Sequence, residues 1–212
     1  MVLPGSLRIQ ELAATGIPSE IALHARRRRA AISHQDEGEH PTTMANTEWW
    51  QRGPVDGIPA VLQPVAHILL QVRESVGELV ENLTPAEWNA RPAGVASAAF
   101  HARHITGVID RLFTYARGGA LSADQFAALR AEGEPLSAAD VATVLDAMNT
   151  RVEAAVAELR TIDVATLGDF RGVGRAQLPS TVIGCLVHGA EHAMRHVGQL
   201  SVTARIARAG RA

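Results

Sequence analysis

Three histidines stand four residues apart near the end of the chain, at His188, His192 and His196. In an α-helix a step of four residues turns the side chain through about 400°, so all three project within about an 80° arc. Neutral imidazole is the commonest protein ligand of transition metals, and two histidines four apart on one helix can hold a single ion. The spacing therefore predicts a metal site whose remaining ligands come from another element.

A second predicted helix offers the missing ligand. It runs from Ser97 to about Arg117, and His104 falls beside its apolar stripe, while His101 lies three residues earlier on a neighbouring azimuth. We expect His104, His192 and His196 to be the metal ligands, at about 2.0 to 2.1 Å from a zinc-like ion. The spacing alone also fits core or surface histidines that bond to backbone and water, and that alternative stays open here.

Other polar residues of the histidine helix have secondary roles in this interpretation. His188 is displaced by about 6 Å along the helix axis, so we expect it to line the pocket or to support the ligands from behind. Gln199 follows His196 by three residues, and its amide could position water or a ligand. Cys185 could be a fourth ligand or a reactive thiol, but a buried small hydrophobic residue is the favoured interpretation.

Composition limits the classes of function. The chain has 212 residues, of which 47% are apolar and 20% charged, with a net charge of −2, which suits one domain and disfavours a nucleic-acid binder. It contains no lysine, so Schiff-base lysines and the P-loop lysine are excluded. No apolar run approaches the roughly 18 residues of a membrane span. We therefore expect a cytoplasmic protein with neither membrane nor nucleic acid as a partner.

The apolar periodicity predicts an all-α fold, a four-helix bundle with short extra helices in its connections and no convincing strand. Proline, glycine and hydroxyl residues mark the ends of the helices. The predicted long helices cover Ala60–Leu83, Ser97–Arg117, Ser137–Leu159 and Pro179–Arg208, and the predicted short helices begin at Thr84 and Ser122.

The first 43 residues differ from the rest of the chain. Arg26 to Arg29 form a basic run, and a polar, acidic stretch follows it up to Thr43. The sequence predicts that residues 1–43 are a disordered extension or a segment ahead of a natural start at Met44, and that residues 44–212 form the bundle domain.

Two segments resemble a known family. The stretch H-G-A-E-H-A-M-R-H-V-G-Q-L, which begins at His188, is similar to the H-x-x-x-H-x-G-Q signature of the DinB family. The stretch A-A-F-H-A-R-H-I-T-G-V-I-D-R-L-F-T-Y, which contains His104, resembles the family segment that supplies the first metal histidine. The similarity extends from about Trp49 to Arg208, and it departs from the family at Val197, where many members have arginine.

The resemblance implies a homodimeric four-helix bundle whose helix order departs from simple up-and-down, with His104, His192 and His196 holding a divalent transition metal such as zinc or nickel. Characterised relatives include thiol-dependent S-transferases and a mycothiol-dependent isomerase. The implied function is therefore a metal-dependent enzyme, an S-transferase or hydrolase, that activates a low-molecular-weight thiol or water against an electrophile. The alternative is a non-catalytic dimeric metal-binding or stress-related protein.

Overall fold

Four long helices dominate the structure, a computed structural model of the chain that describes residues 47–210. The predicted extension 1–43 and its boundary lie outside the described residues. Short 3-10 turns lead into α1 and α5. The elements in chain order are α1 (Gln63–Val80), α2 (Pro85–Asn89), α3 (Ala98–Ala116), α4 (Ala123–Ala131), α5 (Val141–Leu159), β1 (Phe170–Val173), β2 (Leu178–Thr181) and α6 (Val182–Ala209).

The long helices form the predicted four-helix bundle. Helix α6 packs against α3 and α1, and α5 packs against the same two helices. Consecutive long helices α1 and α3 therefore lie diagonally across the bundle, so the order departs from simple up-and-down. The all-α prediction is confirmed. The helices meet around a continuous apolar core that includes Leu69, Ile105, Phe113, Leu186 and Leu200.

The close packing of α3 and α6 places the two histidine-bearing helices side by side. Ser97 caps the start of α3 by accepting a hydrogen bond from the backbone N–H of Phe100 at 3.2 Å. Gly189 of α6 leaves room at the contact, because a Cβ atom there would lie 3.2 Å from Cβ of Leu112. The small residue on α6 therefore lets the two helices approach closely.

The sequence predicted no strand of convincing length, and the structure adds two short strands to the helices. Strands β1 and β2 form a two-stranded antiparallel hairpin in which Phe170 pairs with Thr181 and Val173 with Leu178. Each strand has only four residues, too few for a clear alternation of apolar and polar side chains. Phe170 and Leu178 are 63% and 62% exposed, so these apolar residues do not mark a buried face of the hairpin that the sequence pattern would show.

Two predicted helix starts also need correction. The fourth helix begins at Val182 with Thr181 as its cap, because Pro179 and Ser180 belong to strand β2. The third begins with a 3-10 turn, and Ser137 makes no cap to the backbone, because its hydroxyl bonds the Asp140 carboxylate at 2.6 Å. In both places a local side-chain or strand contact competes with the cap.

Thr84 begins α2 with a complete capping box. Its hydroxyl accepts from the backbone N–H of Glu87, and the Glu87 carboxylate accepts from the backbone N–H of Thr84 at 2.7 Å. We expect Thr84→Ala to lower the free energy of unfolding by about 1 kcal/mol, measured by urea denaturation, because one cap acceptor is lost. Thr84→Ser keeps the hydroxyl and should retain most of that stability. Equal losses in both variants would contradict the capping role.

Among residues 47–210, no helix combines the length and the apolar character needed to cross a membrane.

Candidate metal centre

Helices α3 and α6 bring His104, His192 and His196 together. Nε2 of His192 lies 3.1 Å from Nε2 of His104 and 3.2 Å from Nε2 of His196. One ring nitrogen from each of the three lies within 4.8 Å of the others. This is the juxtaposition that the sequence required, and it joins residues 88 positions apart in the chain.

The arrangement fits a metal ion by its donor geometry. Ligand nitrogens at about 2.0 to 2.1 Å from a tetrahedral zinc ion are separated by about 3.3 to 3.4 Å. A higher coordination number brings the nitrogens closer together, to about 3.0 Å. The separations of 3.1 and 3.2 Å fall in that range. Three imidazole nitrogens that face one point can share a cation, whereas neutral rings can satisfy only part of these contacts with their single N–H groups.

Glu132 determines which nitrogen of His104 carries the proton. This residue directly follows α4, and its Oε2 lies 2.6 Å from Nδ1 of His104. A carboxylate can only accept, so the neutral His104 ring donates through Nδ1–H, which leaves the lone pair of Nε2 facing His192 and His196. The ring of Phe100 stacks on His104 with centroids 5.2 Å apart. The imidazole is therefore held on its edge and on its face.

His196 has a comparable support in His101. Nδ1 of His101 lies 3.0 Å from Nδ1 of His196, and His101 is almost completely buried. If Nε2 of His196 gives its lone pair to a metal, Nδ1–H of His196 donates and Nδ1 of His101 accepts. His192 differs, since its buried Nδ1 has no hydrogen-bond partner among residues 47–210. The His192 ring therefore has no polar support at Nδ1 among the described residues.

Burial keeps His101, His192 and His196 neutral. Burial first, and then the neighbouring His104, lowers the pKa of His101 and of His196 to about 4. Burial, followed by the neighbouring His104, also lowers the pKa of His192. Neutral imidazole is the metal-binding form, so at neutral pH His192 and His196 need not release a proton before they bind a cation.

The remaining predicted residues lie further from the cluster. His188 is exposed, with Nδ1 3.5 Å from a carboxylate oxygen of Glu191, and its ring centroid lies 5.2 Å from that of His192. Gln199 is exposed and lines a cavity of about 540 Å³ together with His101. Cys185 is buried with its thiol 3.7 Å from the Ser180 hydroxyl. The supporting roles of His188 and Gln199 stay predictions.

The sequence did not identify Glu132 and His101 as parts of the site, nor Arg111, whose Nη1 donates to Oε1 of Glu132 at 2.7 Å. Arg111 had a signal, because it follows His104 by seven residues and so returns to the same side of α3 within its apolar run. Glu132 had no such signal, because it directly follows a short helix that buries no residue of its own.

Comparison with known proteins agrees with this fold. The family model described as the DinB superfamily matches residues 68–200, a range that contains all three clustered histidines. No curated protein matches the chain. Because the match covers more than half of the sequence and both histidine helices, the chain belongs to the DinB superfamily.

Proposed function

We propose that this protein is a divalent-metal-dependent enzyme that activates a low-molecular-weight thiol or water for attack on an electrophile. The observation that carries the proposal is the clustering of three ring nitrogens, in which Nε2 of His192 lies 3.1 Å from Nε2 of His104 and 3.2 Å from Nε2 of His196. Zinc and nickel both accept nitrogen ligands, and either fits this donor set.

Three neutral ligands suit this chemistry. A divalent ion held by three neutral imidazoles keeps its full charge, which lowers the pKa of a thiol or water in an open position. The protein supplies the orientation of the rings, through Glu132 behind His104 and His101 behind His196. No cysteine or carboxylate of the described chain belongs to the ligand cluster, so nothing in the cluster neutralises the cation.

A cavity beside His101, the residue that contacts His196, has room for a small substrate, although none of the three ligand histidines is in its wall. The cavity of about 540 Å³ lined by His101 and Gln199 also includes Arg195 and Val202 in its wall. This volume is in the usual range for small-molecule pockets. A guanidinium and an amide beside apolar side chains suit a small organic molecule with a carboxylate, a group that bacillithiol, glutathione and cysteine carry. The homodimer implied by the resemblance stays a prediction, which sedimentation would test.

Two measurements test the proposed function. Protein purified without a histidine tag should hold about one equivalent of zinc or nickel after reconstitution. With a chromogenic electrophile, one of bacillithiol, mycothiol, glutathione or cysteine should then give turnover. The turnover should be lost in His104→Ala and kept in His67→Ala, since His67 bonds the Gly53 carbonyl instead.

Each negative result has a separate meaning. If the protein held less than about a tenth of an equivalent of metal, and reconstitution did not change this, the proposed metal site would be contradicted. The protein could bind metal and yet show no turnover above the His104→Ala background, either with any of the thiols or with water. That result would contradict the proposed enzymatic activity and would favour the alternative, a non-catalytic metal-binding protein.

A further inference from the structure

We propose that Glu132, Arg111 and Gly107 form a positioning unit that fixes the orientation of His104 toward the metal. This inference rests on the proposed metal-dependent function. The unit joins α3 to the end of α4 and lies on the side of His104 opposite the nitrogen that faces the other two histidines. None of its members belongs to the ligand cluster, so they act through His104.

The Glu132 carboxylate binds both partners at once. Oε2 accepts from Nδ1 of His104 at 2.6 Å, and Oε1 accepts from Nη1 of Arg111 at 2.7 Å. The Glu132 side chain is only 6% exposed and that of Arg111 only 10%. A carboxylate with one oxygen on each partner cannot rotate without losing a hydrogen bond, so the position of Arg111 determines the position of the His104 ring.

Arg111 also keeps Glu132 charged. The Arg111 guanidinium lies 2.7 Å from Oε1 of Glu132, and an opposite charge in contact with a carboxyl group favours its ionised form. An ionised carboxylate accepts and never donates. It therefore holds the proton of His104 on Nδ1 and makes the imidazole a stronger electron donor through Nε2.

Gly107 supplies the space for this pair. It lies between His104 and Arg111 on α3, and a Cβ atom there would stand 2.5 Å from Nη1 of Arg111 and 2.5 Å from Oε1 of Glu132. Both atoms are held by each other in a buried position, so neither can withdraw without breaking the ion pair. The absence of a side chain at position 107 is therefore a requirement of the Glu132–Arg111 contact.

The inference is tested by metal affinity in the full-length protein. Glu132→Gln keeps the volume but removes the charge and one acceptor oxygen. We expect it to weaken Zn²⁺ binding by about 10 to 100-fold in competition with a chromogenic chelator. The visible absorption spectrum of the Co²⁺-substituted protein should change with it, because the His104 ligand is reoriented. Gly107→Ala should shift both readouts in the same direction.

Glu134→Gln is the matched control. Glu134 lies two residues further along the same connection with an exposed side chain, so its removal should leave Zn²⁺ affinity and the Co²⁺ spectrum unchanged. If Glu132→Gln unfolds because Arg111 is left buried without its partner, the pair Arg111→Met with Glu132→Gln removes both charges and allows the same measurements.

The outcomes separate this inference from the proposed function. A Glu132→Gln protein with wild-type Zn²⁺ affinity and an unchanged Co²⁺ spectrum would overturn the positioning unit, even if its thermal stability fell. A wild-type protein that binds no Zn²⁺ would instead overturn the proposed function, whatever the variants do.

Discussion

Replacing His192 by alanine is expected to lower the affinity for Zn²⁺ by more than about 100-fold, beyond the usual effect of losing a group that only supports a ligand. His192 is the central member of the cluster, since its Nε2 lies 3.1 and 3.2 Å from the other two nitrogens. Without it, His104 and His196 remain as two ligands on different helices. Isothermal titration or chelator competition measures the change.

Thermal unfolding gives a second readout for His192→Ala. A ligand present at about 100 times its dissociation constant stabilises the native state by about 2.7 kcal/mol. We therefore expect Zn²⁺ to raise the melting temperature of the wild-type protein and of a His67→Ala control, but not of His192→Ala at the same concentration. An equal rise in all three would show that the metal binds elsewhere.

Phe113→Ala is expected to cost about 3 to 5 kcal/mol in the free energy of unfolding, a large share of the 5 to 15 kcal/mol typical of a domain. The Phe113 ring is fully buried on α3 and lies near Gly189 of α6, while the Arg151 guanidinium of α5 stands 5.8 Å from its centroid. Its loss opens a cavity between three of the four long helices. Urea denaturation followed by circular dichroism measures the loss.

Phe170→Ala is the comparison for that prediction. Phe170 is the same residue type, but it lies on strand β1 and is 63% exposed, so its replacement should change the unfolding free energy by only about 0.5 kcal/mol. If Phe113→Ala cost no more than Phe170→Ala, the packing of α3 against α6 and α5 would not be the source of the bundle's stability.

Helix boundaries were predictable where a single local signal was unopposed. Ser97, Thr84 and Ser122 each accept a hydrogen bond from the N–H three residues later, as their sequence context indicated. The predicted boundaries were wrong where another contact competed with the helix cap. Thr181 replaced Pro179 and Ser180 at the start of α6 because those two residues pair with β1, a partner that no local pattern in the sequence identifies.

The sequence by itself determined which residues can serve as ligands and which share a face. The spacing of His192 and His196 places them on one side of a helix whatever the rest of the chain does, because helix geometry is local. The apolar periodicity likewise determined the four long helices and hence the bundle.

Only the tertiary structure decided what surrounds those ligands. Contacts between His104 and Glu132, and between His101 and His196, join residues 28 and 95 positions apart, so they depend on how α3, α4 and α6 pack. Side-chain type and periodicity carry no information about such distances. The same packing separated His188, which is exposed, from His192 and His196, although all three repeat at one interval in the sequence.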